Sequence, residues 1–116
     1  MAQGQFSVDD KKAEHGKTVF VAKGCNGCHT IGRGNLAAPD LAGVLDRRPE
    51  EWLKKWLKDP RPFLEKDEYA KALSRKFNGM RMPDLDLSDK EIDAVLHYIA
   101  QQGLHAPKPD PQSNTQ

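Results

Sequence analysis

Cys25-Asn26-Gly27-Cys28-His29 is the stretch on which the reading of this chain turns. Two thiols three positions apart, followed at once by a histidine, have the spacing for covalent haem attachment. Each thiol adds to one vinyl group of the ring, forming a thioether, and the adjacent imidazole then lies beneath the iron. Three other chemistries compete for the same string. A thioredoxin-like CxxC requires a preceding strand in a βαβ setting, and the surrounding sequence offers no strand pattern. A zinc site requires a second ligand pair at finger-like spacing, but Cys25 and Cys28 are the only cysteines and His97 and His105 are scattered. A disulfide across two intervening residues closes too short a loop to contribute much stability. Haem attachment is the favoured reading.

Outward from that string, the N-terminal flank from Val8 to Lys23 is rich in helix-forming Lys, Ala and Glu, with Ala13, Val19, Phe20 and Ala22 as its apolar share, and Gly24 stops it. The C-terminal flank to Asp46 is dominated by glycine and short polar residues around Pro39, which predicts loop. Pro49 then opens a second helix, with Glu50 and Glu51 in its first turn and a Trp52, Leu53, Trp56, Leu57 stripe; Pro60 and Pro62 are expected to end it. A short helix is expected from about Tyr69 to Phe77, closed by Asn78-Gly79. Ser88-Asp89-Lys90-Glu91 is a capping box ahead of Ile92, Val95, Leu96 and Ile99, and that last helix is expected to stop at Gly103.

Composition agrees with a domain built around a large apolar group. The chain has 116 residues, enough for one domain, yet only 37% of them are hydrophobic, so a buried ring would replace side chains the sequence does not supply. A formal charge of +1 gives no sign of a nucleic-acid binder, and no apolar run approaches a membrane span. Met1-Ala2-Gln3 does not begin a signal peptide and is expected to be a mature or excised start; an extracytoplasmic or periplasmic location is therefore inferred from the haem chemistry. Residues 1–6 are expected to be a flexible N-terminus, 7–104 the folded domain, and 105–116 a disordered tail or linker remnant.

The chain resembles class I cytochrome c from about Glu14 to Gln102. The resemblance rests on Gly16 and Phe20, the Cys25 to His29 string, Pro39-Asp40-Leu41, Met82-Pro83, and the helix from Leu87-Ser88 to Tyr98-Ile99. It implies an all-α fold of four or five helices wrapped around one covalent haem. It also implies that the first and last helices cross at Gly16, with Phe20 against Val95 and Tyr98, and that the Pro39 carbonyl orients His29. The sixth ligand is expected to be Met82, which precedes a proline as in the family, rather than Met80. Trp52, Trp56, Arg47 and Arg48 are the candidate donors to the haem propionates. Asp59 to Asn78 is longer than in the shortest family members, so the propionate contacts are not carried over one for one. His15, His97 and His105 are expected at the surface rather than on the iron.

The function these residues and the resemblance imply is that of a one-electron carrier with no catalytic residues. Its partners would be redox protein donors and acceptors in a respiratory or related chain, and it is expected to be a monomer. Two other readings stay open: the electron-transfer domain of a larger oxidoreductase, and a haem enzyme or gas sensor with an exchangeable sixth position. Lys23, Arg33 and Arg81 flank the haem string and the methionine loop, where they are expected to attract an acidic partner.

Overall fold

A computed structural model describes residues 6–105, so the flexible N-terminus expected for 1–6 falls almost wholly outside the described residues, as do residues 106–116 of the expected tail. The described part is helical: α1 Asp10–Ala22, α2 Val44–Arg47, α3 Glu50–Lys58, α4 Arg61–Lys66, α5 Glu68–Lys76 and α6 Asp89–His105, with one 3-10 turn at Cys25–Gly27.

Helix α1 begins where the Asp9 carboxylate accepts hydrogen bonds from Lys11 N and Lys12 N at 3.0 and 3.2 Å. Those donors, the Lys12 amide first, hold Asp9 below the ordinary carboxylate range. Ala13, Gly16, Val19 and Phe20 recur at helical spacing and form the buried face. That face packs against α6, the most extensive contact between elements. A Cβ built at Gly16 would fall on the Ala94 carbonyl and lie 2.9 Å from Tyr98 Cβ, so only glycine allows this approach. Phe20 meets Tyr98 beside the crossing, their ring centroids 5.3 Å apart. Val95 and Leu96 are nearly inaccessible, and with Ile92 and Ile99 they continue the core behind Phe20.

The capping box forms in both directions: Ser88 N donates to Glu91 Oε1 at 2.9 Å, and Glu91 N donates to Ser88 Oγ at 3.1 Å. This fixes the chain at the point where it leaves the methionine loop and enters α6.

Four expectations are corrected. The stretch read as loop to Asp46 contains the short helix α2, entered through Gly43 at φ 78°. Pro60 and Pro62 do not simply end α3, which stops at Lys58; they open α4, where a missing N–H falls among donors that have no helical partner anyway. Helix α6 runs through Gly103 to His105, because one glycine within a turn of the end costs only about 1 kcal/mol. His97 is buried at 8% exposure rather than at the surface. Its Nδ1 accepts from Asp9 N at 2.9 Å, and Phe6 packs on its ring with centroids 4.7 Å apart. The apolar spacing of α6 turns position 97 toward α1, and the ring is satisfied there.

Candidate functional site

Gly24, in the left-handed region at φ 77°, lets the chain leave α1 sharply and begin the 3-10 turn that carries the cysteines. Cys28 N and His29 N both donate to Cys25 O, at 3.2 and 2.9 Å, so the two thiols and the imidazole are held in one tight unit. Both thiols are free, Cys25 half-buried and Cys28 exposed. Burial pushes the Cys25 thiol above its ordinary value.

The loop that follows is organised by Asp40. Its carboxylate is buried and accepts from Gly32 N, Gly34 N and Ala42 N at 2.7 to 2.9 Å. Ala38 N and Leu41 N bond back to Cys28 O and Thr30 O, which lays residue 39 beside the histidine. There Pro39 O accepts from His29 Nδ1 at 2.8 Å. A carbonyl only accepts, so Nδ1 carries the proton and Nε2 is the ring nitrogen left for a metal. Burial lowers the His29 pKa, with the Pro39 bond opposing, so the neutral imidazole required of a metal ligand is the favoured form.

Cys25, Cys28 and His29 open onto an apolar cleft of about 250 Å³. Phe20, Val95, Leu96 and Ile99 line it together with residues of α3 and α5 and of the methionine loop. Met82 is half-buried, and its Sδ accepts from Trp56 Nε1 at 3.1 Å. Met80 also reaches the cleft margin but is 48% exposed, while Ser74 Oγ donates to its carbonyl at 2.9 Å. The cleft therefore brings together His29, both cysteines, Pro39, Met82 and Met80. His97 lies on the α1 side and is not among the residues lining it.

The four candidate propionate donors separate by what they already hold. Trp56 Nε1 is directed to Met82 and Trp52 Nε1 to Asp67 Oδ1, the latter at 3.4 Å. Arg48 lies over the Tyr69 ring, 4.1 Å from its centroid, and its Nε donates to Arg47 O at 2.8 Å. Arg47 donates through Nη1 to Ala42 O and through Nη2 to Asp40 O, at 2.9 and 3.0 Å, while its Nε is buried without a hydrogen-bond partner among the described residues. A buried cationic N–H with no acceptor, on the rim of an apolar cleft, suits an anionic substituent of a bound group. Two thiols, one imidazole and a thioether on the same cleft are the donors of a c-type haem, so the residues present fit the group.

Sequence reading gave no role to Asp40 or Asp67. Both had a local signal: Asp40 is followed two residues on by the Ala42 amide it accepts from, an Asx-turn pattern, and Asp67 caps α5 by accepting from Ala70 N at 2.9 Å. Among the described residues no group of three or more His, Cys, Asp or Glu stands ready to hold a metal, and no helix is long and apolar enough to cross a membrane.

A family model described as cytochrome c matches residues 13–103. Among solved structures, the fold is similar to a cytochrome c from Rhodothermus marinus, with a TM-score of 0.78 at 24% identity over 85% of this chain and 83% of that one. An engineered form of that Rhodothermus protein, bound to a carbene intermediate, matches with a TM-score of 0.73 at 22% identity, over 84% of this chain and 82% of the other. The cytochrome c domain of the pp3183 protein from Pseudomonas putida is 35% identical over 77% of this chain and 88% of that one, with a TM-score of 0.67. No curated protein sequence matches.

Proposed function

This chain belongs to the cytochrome c family, whose members carry covalent haem c in electron transfer, and from that premise we propose a one-electron carrier with His29 and Met82 as axial ligands. The haem supplies the ferric–ferrous couple, so one electron taken from a reduced partner is the electron passed to an oxidised one. The protein's part is to hold, orient and exclude. Cys25 and Cys28 fix the ring edge through two thioethers. Pro39 O holds the His29 ring through Nδ1 and increases the basicity of Nε2. The apolar lining keeps water from the ring and lowers the local dielectric, which favours the less charged, reduced state.

The observation that carries the reading is the placement of the Met82 thioether in the cleft that His29 enters from the cysteine turn. His29 and Met82 would together hold the iron and leave it no site for oxygen, peroxide or substrate. Arg47 Nε is the propionate donor this reading favours among the four candidates. Covalent attachment depends on export-linked machinery, so the protein acts outside the cytoplasm.

Substitution of each methionine in turn tests the ligation. Met82→Ala should abolish the far-red absorption band that reports iron–methionine bonding in the oxidised protein, lower the potential and open the iron to added imidazole or cyanide. Met80→Ala should leave the spectrum nearly unchanged. The reverse pattern would move the ligand to Met80.

A further inference from the structure

We propose that Trp56 is the positioning residue for the distal methionine: its indole N–H holds the Met82 thioether in place and, in the haem-loaded protein, raises the reduction potential. The inference rests on Met82 being the ligand and goes beyond it.

Indole nitrogen is a donor only, and a half-buried Trp N–H finds a partner wherever the fold provides one. Here the partner is Met82 Sδ, at 3.1 Å, from a residue 26 positions away in sequence. Methionine has three rotatable bonds and a weakly accepting sulfur, so a fixed donor is an effective way to select one rotamer. Trp56 is itself fixed. It stacks on Trp52 with centroids 5.6 Å apart and planes 7° from parallel, and the edge of Phe63 meets it at 5.9 Å and 83°. Phe63 also meets Trp52 edge-on at 5.0 Å, and Tyr69 meets Trp52 edge-on at 5.7 Å.

Phe63 belongs to α4 and Tyr69 to α5, the segment between Asp59 and Asn78 that departs from the shortest family members. That segment therefore has a use: it clamps the indole pair from which the Trp56 donor projects. Met80, by contrast, is half exposed.

A thioether sulfur has two lone pairs. One can bind iron while the other accepts the indole proton. A donor on that lone pair draws electron density from the sulfur, which would disfavour ferric iron more than ferrous iron and so raise the potential.

The test uses the holoprotein with Trp56→Phe, which keeps an aromatic in the stack and removes the N–H. The oxidation equilibrium should shift about threefold toward the ferric state, ~30 mV downward for a one-electron couple. Affinity of ferric protein for imidazole should rise severalfold, since Met82 is displaced more readily. An unchanged potential and imidazole affinity would overturn the proposal. Independently of whether that variant folds, nitrogen-15 labelling of the wild-type tryptophans in the reduced protein reads the bond directly. The Trp56 indole N–H should exchange with solvent deuterium slowly in wild type and at least tenfold faster in Met82→Ala; equal rates would overturn the proposal. Loss of the far-red band in Met82→Ala separates the two layers. If that band survives in Met82→Ala, the ligand assignment has failed; if it is lost and Trp56→Phe matches wild type, only the role of Trp56 has failed.

Discussion

His29 and Arg47 both donate to backbone carbonyls of the loop at residues 30–42. His29 has its Nδ1 proton bound by Pro39 O, and Arg47 ties the same loop down through the carbonyls of Asp40 and Ala42. Between them Asp40 accepts three backbone donors while buried. Replacing it with Asn would set an NH₂ against one of those N–H groups, so Asp40→Asn should cost about 1–3 kcal/mol in holoprotein stability, read by denaturant titration. It should also weaken the orientation of His29, seen as a shift in the Soret spectrum. Arg47→Gln removes a cation from the cleft rim and should lower the potential, because positive charge near the iron favours the reduced state; spectroelectrochemistry checks this. That Cys25, Cys28 and His29 share one cleft was legible from five consecutive residues, and the Pro39 bond from the family resemblance. The partition of roles among Trp52, Trp56, Arg47 and Arg48 was not, because it depends on which acceptor each donor meets across long sequence separations.

Helices α1 and α6 cross where a side chain cannot fit, so any substitution at Gly16 must displace the α6 backbone at Ala94. Gly16→Ala should destabilise by about 3 kcal/mol, since Ala94 O is backbone and cannot swing aside. The thermal midpoint should fall by roughly 4–8 °C for each kcal/mol lost in a domain of this size. At the start of α6 the Ser88 amide holds the Glu91 carboxyl below its ordinary value of 4.5. The folded-state pKa is the lower one, so this contribution is complete above pH 4.5 and is lost as the pH falls through the folded value. Glu91→Gln should flatten the acid limb of stability below pH 4.5, as measured by thermal unfolding, and Ser88→Ala should cost about 1 kcal/mol. Such a cap is local, and that is why the start of α6 could be read from sequence, whereas the first helix, expected from Val8 on composition, starts at Asp10 behind the Asp9 cap. The prolines at 60 and 62 were misread because the same residue stops one helix and starts the next, a choice settled by where Phe63 packs against Trp52 and Trp56. His97 was misplaced for a related reason: a histidine satisfied by a backbone amide 88 positions away leaves no mark in its own helix.

The whole molecule is close to neutral, yet Lys23 and Arg81 border the cleft and Arg33 follows the cysteine turn on the same connection. A partner of acidic surface would be steered toward that edge, and steering is screened once the Debye length shrinks from ~30 Å at 0.01 M salt to ~10 Å at 0.1 M. Electron-transfer rates with such a partner should therefore fall as ionic strength rises, and Arg81→Gln should reduce that salt dependence in stopped-flow measurements. Rates that stay flat or increase with salt would exclude steering. Carrier function requires that the cleft, the cysteine turn and the methionine loop together hold one haem with both axial positions filled by the chain. Optical redox titration of the purified holoprotein tests this most directly. It should give a single one-electron transition, a far-red band in the oxidised state that reports iron–methionine bonding, and little binding of added imidazole at concentrations that saturate an open iron. A ferric spectrum without that band, converting readily on addition of imidazole, would contradict carrier function and place an exchangeable sixth position at the centre of the site.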